Sequence, residues 1–362
     1  MAQHSLHSKE ARAFARITNK LTDAECEQLL ARVRWGSADQ QACPSCGTFR
    51  KHYRRARRRK WRCAECMHEF SVTSQTMLDS HKMSFRDIVI GAMIVAANTK
   101  GAARLLMSRL LGWTPKTAHV FTGKIREYLV HAMDMSPLEG IVHIDGAYFC
   151  GKPRSPRRKI KMPADAIAKR FGKKKIEDSK KPWVEAGMTR QNWERRANKR
   201  VVISLCASAG FGQGSDRTVA FVCKSENAHD IQLMVKRFVK PGTVIMTDES
   251  GAYGPLSAWY DHYVVQHSHE YSTPEGVNNN MSETFNSRMR RSEYGVFHGF
   301  RAKYLQDYAC EFAWRESIRS HSQEKQVLTL LTGLMCSPKS RWWRGYWQGR
   351  HRDHELSLSY FL

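Results

Sequence analysis

The sequence predicts a mixed α/β chain in which helices pack on a sheet, preceded by a small zinc ribbon and a helix-turn-helix. Three observations carry this. Two short apolar runs of strand character, 141–149 and 243–248, each bear an acid, and around them strand-like stretches alternate with helical ones. Two CxxC pairs, Cys43 with Cys46 and Cys63 with Cys66, stand sixteen residues apart. Helical periodicity fills 84–129 and is broken once, at Gly112-Trp-Thr-Pro115.

A chain of 362 residues can bury one large core or two to three smaller ones. Lys and Arg outnumber Asp and Glu by 59 to 34, a formal charge of +25. Such an excess speaks of partners, and nucleic acid is the polyanion that most often answers it, with a merely soluble basic protein as the plainer alternative. There is no apolar run of roughly 18 residues or more, and MAQHSLHSKEARAFARITNK contains no apolar signal core. A cytoplasmic location without a membrane partner is the expectation. Ten cysteines, four of them in pairs, argue against a secreted disulfide scaffold.

Residues 1–36 form a helical lead, with Thr22-Asp-Ala-Glu25 as a capping box before Leu29 and Leu30. Residues 37–78 form the ribbon. Two residues between cysteines let a tight turn aim both thiolates at one point, and Gly47 frees the backbone beyond the first pair. Four thiolates make a closed tetrahedral site, which is structural Zn²⁺; a redox CxxC is disfavoured by two matched pairs outside a βαβ pattern. Between the pairs runs 50–62, nearly all basic with Tyr53 and Trp61 interleaved. Arg54, Arg57, Arg58, Arg59 and Lys60 are its candidates for gripping phosphates; a solvated basic hairpin is the alternative.

In residues 79–135, Phe85, Ile88, Val89, Met93 and Ile94 recur at helical spacing, as do Ala102, Leu105, Leu106, Leu110 and Leu111. After the break, Thr114 suits an N-cap and Pro115 the first helical position. Helix, glycine turn and helix is the layout that sends a second helix into the major groove, with Lys116, Thr117, His119 and Lys124 facing DNA. An ordinary αα-hairpin fits the spacing equally well.

Residues 136–320 form the carboxylate domain. Asp145 sits inside an apolar strand, where an unpaired carboxylate is costly and needs a basic residue, a helix N-terminus or a cation. The stretch 152–200 holds eighteen Lys or Arg against five acids and reads as a basic insertion that orders on a nucleic-acid backbone. Two strands follow, 201–207 and 218–223, then a helix, the strand ending at Asp248, a helix-like 252–259, a short strand 263–266 and a helix from about Asn280 to Met289. On that last helix Met281, Phe285 and Met289 face the core and leave Glu283 free to reach the sheet edge. Asp145, Asp248 and Glu283 are separated by 102 and 34 residues. Three converging carboxylates would hold two divalent cations about 3.5–4 Å apart, the arrangement of phosphodiester chemistry, and hard oxygen donors select Mg²⁺ or Mn²⁺. Of the neighbouring acids, Glu249 adjoins Asp248, Glu275 belongs to a loop and Glu293 lies beyond the helix.

These residues together resemble the DDE transposases of bacterial insertion sequences that carry an amino-terminal zinc ribbon. The resemblance runs from about Cys43 to Arg315 and rests on CPSCG, CAEC with HEFSVTSQTML, GWTPKTAHVFTGKIREYL, HIDGAYFCGK, VIMTDESGAY, VVQHSHEY and NNNMSETFNSRMRRSEYGVFHGFRAKYLQDYACEFAWR. It implies a ribonuclease H-like core whose metal ligands are Asp145, Asp248 and Glu283. It also implies binding to terminal inverted repeats, a dimer or higher assembly on DNA, and a bacterial, nucleoid-associated setting. Seven residues after the third acid the family often carries a Lys that contacts DNA; here Arg290 holds that place with a bidentate guanidinium. Some relatives replace the helical Glu with Asn, which makes Asn280 a substitute third ligand, and His267 and His269 become DNA or leaving-group contacts. The insertion is longer than the family leads one to expect.

Residues 321–362 close the chain with a short apolar helix, 326–334, and the aromatic run Arg341-Trp-Trp-Arg-Gly-Tyr-Trp347. That run suits base stacking, a second protomer or packing on its own domain. The reading is therefore a DNA transposase, with two rivals: a non-catalytic zinc-ribbon DNA-binding regulator, and a nuclease of the same core without strand transfer.

Overall fold

The computed structural model describes residues 20–151, 187, 189–210, 213–265 and 277–362. Helix α1, Asp23–Trp35, starts at the expected capping box: the Thr22 hydroxyl accepts from Glu25 N, and the Glu25 carboxylate accepts from Thr22 N at 2.7 Å. The ribbon follows as β1 Gln41–Ala42, β2 Phe49–Arg50, β3 Tyr53–Arg55, β4 Lys60–Arg62 and β5 Glu69–Phe70, each antiparallel to its neighbour within two small sheets. Strands of two or three residues do not stand alone. Trp61 and Phe70 pack on Trp35 of α1, with the Arg54 guanidinium 4.4 Å over the Trp61 ring.

Helices α2 Phe85–Ala97, α3 Arg104–Leu111 and α4 Pro115–His131 follow. The break before α4 forms as its residues dictate: Gly112 turns left-handed, the Thr114 hydroxyl caps Thr117 N and Pro115 opens the helix. The sheet of the second half is built from β6 Ile141–Phe149, β7 Arg200–Ser208, β8 Arg217–Cys223, β9 Val244–Thr247 and β10 Asp261–Val264, in the order β10-β9-β6-β7-β8. β7 runs antiparallel to both β6 and β8, whereas β9 and β10 run parallel to β6, which makes the sheet mixed. α5, Arg190–Asn198, is the described part of the basic insertion and leads into β7; 152–186 lie outside the described residues.

Pleating sends alternate residues to opposite faces. Val142 and Ile144 of β6 join Val201, Ile203 and Leu205 of β7 under α6, Ala228–Phe238. Ala147 and Phe149 join Val202, Cys206 and Ala220 under α7, Asn280–Gly295, and α8, Ala302–Ser317. Helices on both faces explain why β7 reads as a continuous apolar run. The expected helix at 252–259 is a 3₁₀ turn, Gly254–Ala258. α7 runs on past Met289 to Gly295, so Glu293 is inside the helix and buried, accepting from Cys150 N and Phe300 N at 3.2 Å each.

The last segment is not an appendage. α9, Gln323–Cys336, returns to the first half, where Val327, Leu330, Leu331 and Leu334 share a core with Leu30, Ile88, Val89 and Phe121. Beyond it the chain straps α4. Glu127 accepts from the Ser340 hydroxyl and from Arg341 N, Trp343 covers Gly123, and Arg352 pairs with buried Asp307 at 2.5 Å. A Cβ at position 123 would fall 2.2 Å from the Trp343 ring, so glycine is what admits the indole. The aromatic run packs on its own chain through Trp343, while Trp347 stays exposed.

α4 and α8 are tied by charge at their contact. Glu311 receives Arg126 and Arg315, each at 2.6 Å, and all three are buried. Burial pushes the Glu311 carboxyl up, but the two guanidiniums outweigh it and hold the carboxyl below the usual range. Glu311→Gln leaves the guanidiniums without their counter-charge, and the expected loss is about 3–5 kcal/mol, read as a lower denaturant midpoint at unchanged slope.

Candidate active site

Asp145 and Asp248 come together through strand register. β6 and β9 are parallel neighbours, and Ile144 stands opposite Thr247. Asp145 and Asp248 are each the next residue, so the two acids lie side by side where β9 ends. Asp248 then turns the chain, its Oδ1 accepting from Ser250 N at 3.1 Å. The N-terminus of α7 is pinned to the same strand: Ser282 donates its hydroxyl to His143 O at 2.7 Å, and Asn279 Nδ2 donates to Ile144 O at 3.1 Å. One turn on, Asn286 Nδ2 donates to Asp145 Oδ2 at 2.7 Å. Glu283 lies between these anchors, and Asp145, Glu283, Asn286, Arg290, Arg291 and Tyr294 line one open cleft.

Asp145 has no ion pair among the described residues. Burial pushes its carboxyl up to about 6; the Asn286 amide opposes this, while Asp248 and Glu226 add to it. Asn286 is 2% exposed and leaves Oδ1 without a partner among the described residues. Carboxylate and amide oxygens with unmet demand for a cation fit a hard divalent ion. The acids stand further apart than the thiols of the ribbon: among the described residues the four cysteines alone place their ligand atoms within 4.8 Å of one another.

Those thiols do fit zinc. Sγ of Cys43 lies 3.7 Å from that of Cys66, and Sγ of Cys46 lies 3.6 Å from that of Cys63. A tetrahedron with Zn–S bonds of about 2.3 Å has edges near 3.8 Å. Both knuckles fold alike, with Cys43 N bonded to Thr48 O and Cys63 N to His68 O. Gly47 takes φ +76° in the first, and Met67 holds the matching position of the second at φ 60°. The ribbon binds structural Zn²⁺.

The structure corrects several expected DNA contacts. α4 is the buried middle of a helical cluster rather than an exposed recognition helix. Lys124 is buried with its ammonium on Asp79 O at 3.3 Å, which takes it off any DNA-facing surface. His119 is ringed by Trp343, Tyr346 and Tyr304. Lys116 is exposed and lies 5.9 Å over the Tyr346 ring. On the ribbon, Arg54 pairs with Glu27, Arg58 with Glu69 and Arg59 with Asp23, whereas Arg57 and Lys60 have no ion pair among the described residues. Glu27 is buried and holds Arg54 in the fold, whereas the exposed guanidiniums of Arg58 and Arg59 make pairs weak enough to yield to phosphate. Arg290 is exposed on the cleft beside Glu283. Asn280, the expected substitute ligand, lines a separate small cavity with Ile141 and His143. His267 and His269 lie outside the described residues.

Burial pushes the His119 ring down to about 4, helped by Arg126, Arg104 and Arg301. A histidine with a depressed folded pKa supports the fold above its unfolded value of about 6.5 and loses that support as pH falls towards 4. We expect stability to drop by about 3 kcal/mol across this window from His119, and urea midpoints of His119→Gln to be flatter between pH 7 and 4 than those of the wild type.

Sequence reasoning missed Asn286 and Glu226. Asn286 was within reach, since a residue three positions after Glu283 shares its helix face. Glu226 gave only a faint sign, an acid one residue ahead of the N-cap Asn227.

Comparison with known families agrees with this architecture. Residues 137–317 match the ISXO2-like transposase domain, and residues 21–69 match a transposase zinc-ribbon domain. No curated protein and no solved structure matches the chain. No helix among the described residues is long and apolar enough to cross a membrane. With half its length accounted for by one domain and the ribbon by the other, the chain belongs to the ISXO2-like transposase family.

Proposed function

We propose that the protein is a DNA transposase that binds the terminal inverted repeats of its element, cleaves their ends and joins them to target DNA. The observation that carries this is the pairing of Asp145 with Asp248 on adjacent parallel strands, with Glu283 on the cleft that Asp145 lines. In this reading the three carboxylates hold Mg²⁺ or Mn²⁺. Such ions, when bound, activate an attacking oxygen and offset charge on the phosphate and on the leaving oxygen.

The chain's own groups do the rest. Arg290 and Arg291 on the cleft rim orient the phosphate, Arg290 in the place where the family often has a lysine. Asn286 fixes one oxygen of Asp145, leaving the other to the reacting centre. A water oxygen displaces the 3′-oxygen of the element end, and the freed 3′-hydroxyl then displaces an oxygen of target DNA in line. The ribbon, through Arg57, Lys60 and the basic residues around them, tracks the backbone beside the cut. Two ends must be held at once, so at least a dimer assembles on DNA.

The test is an in vitro reaction with Mg²⁺ and DNA carrying the terminal repeats, scored for nicks and for joining of a pre-cut end. Wild type gives both products and Asp248→Asn gives neither. Nicking without joining would assign a nuclease. Repeat binding with neither product from wild type would leave only a DNA-binding regulator.

A further inference from the structure

A fourth acid reaches this centre from the other side of β6. Glu226 stands between the end of β8 and the N-cap of α6. Gly146, the residue after Asp145, turns towards that face by the pleat. A Cβ at Gly146 would fall 2.8 Å from the Glu226 carboxyl carbon, so only glycine leaves room for this acid against the strand. Its other neighbour ties it to Asp248. Tyr253, fully buried on the turn that Asp248 begins, donates its hydroxyl to Glu226 Oε1 at 2.6 Å.

Glu226 thus rests on the residue next to Asp145 and on the turn of Asp248. Electrostatics agree with the placement. Burial and then Asp248 hold the Glu226 carboxyl up, and Glu226 in turn acts on Asp145. None of Asp145, Asp248 and Glu226 has an ion pair with Lys, Arg or His among the described residues. An independent sign that a cation fits here is Asn286, buried with its amide nitrogen on Asp145 and its Oδ1 without a hydrogen-bond partner among the described residues. Three acids brought together without a counter-charge oppose folding unless something positive joins them.

Building on the proposed transposase reaction, we propose that Glu226 is a fourth carboxylate of the active centre and holds a divalent cation together with Asp145 and Asp248. The glycine at 146 is then the opening through which the acid reaches the cation. A purely structural Glu226 would serve only to seat Tyr253.

The test titrates Mn²⁺ into the zinc-loaded full-length protein, read by calorimetry and by the electron paramagnetic resonance of free Mn²⁺, with thermal melts in metal-free buffer. Glu226→Gln is expected to weaken Mn²⁺ binding about tenfold or more, with a metal-free Tm unchanged or raised. Gly146→Ala keeps every acid but displaces Glu226, and it weakens binding likewise; it decides the matter if Glu226→Gln fails to fold. Wild-type Mn²⁺ affinity in either variant, with affinity lost in Asp145→Asn, overturns the role of Glu226 and leaves the proposed function standing. Unchanged affinity in Asp145→Asn as well overturns both.

Discussion

Asp145→Asn is expected to lower nicking of terminal-repeat DNA by on the order of 10³-fold or more while leaving its affinity for that DNA within a few-fold. The same substitution should make the metal-free protein more stable, and this opposite sign separates a functional acid from a structural one. Burial holds the Asp145 carboxyl up to about 6. An acid with a raised folded pKa supports the fold below its unfolded value of about 3.8 and loses that support as pH rises through 6. At pH 8 the ionised carboxylate therefore opposes folding by on the order of 2–3 kcal/mol. Asparagine removes the charge and still accepts the bond from Asn286. Melts in metal-free buffer should show the variant above wild type at pH 8 and level with it near pH 4. A variant less stable than wild type at pH 8 would mean that Asp145 has a cationic partner in the fold, and the cleft would lose its reason to bind a metal.

The parts of this centre differ in how openly the sequence declares them. Asp145 and Asp248 are legible because an acid inside an apolar strand breaks the pattern, and the break is local. Glu283 is legible through its place off the stripe of Met281, Phe285 and Met289. Glu226 is not, because its role depends on a glycine eighty positions away and on a buried tyrosine from a third segment. The same limit explains Lys124. Spacing around Gly112 and Pro115 fixes a helix pair, but says nothing of what will cover α4. Its covering comes from α8 and from the strap after α9, which arrive almost two hundred residues later. Basic residues on a helix near the N-terminus read as a DNA face only while that distant cover is unknown. The ribbon shows the opposite case, for its four ligands lie within 24 consecutive residues and one metal defines their fold.

Loss of that metal should have the largest effect on stability of any change considered. Structural zinc contributes about 10–16 kcal/mol in isolated finger peptides at neutral pH. Here the ribbon strands are two or three residues long, too short to stand alone. Cys63→Ser, or prolonged chelation, should release one equivalent of zinc and open 37–78 to protease. Damage should not stop there. Trp61 and Phe70 share one core with Leu30 of α1, Ile88 of α2 and Leu331 of α9, so an unfolded ribbon uncovers apolar surface on helices from both ends of the chain. The sheet lies in separate clusters under α6, α7 and α8, and it should keep its own protection. The expected pattern is thus two-phase: amide exchange rises by orders of magnitude across 23–97 and 323–336, while 141–149 and 201–207 remain slow. DNA affinity should fall at least about tenfold with the loss of the ribbon's phosphate contacts. Uniform acceleration of exchange through β6 and β7 would show instead that the zinc ribbon and the five-stranded sheet unfold as one unit.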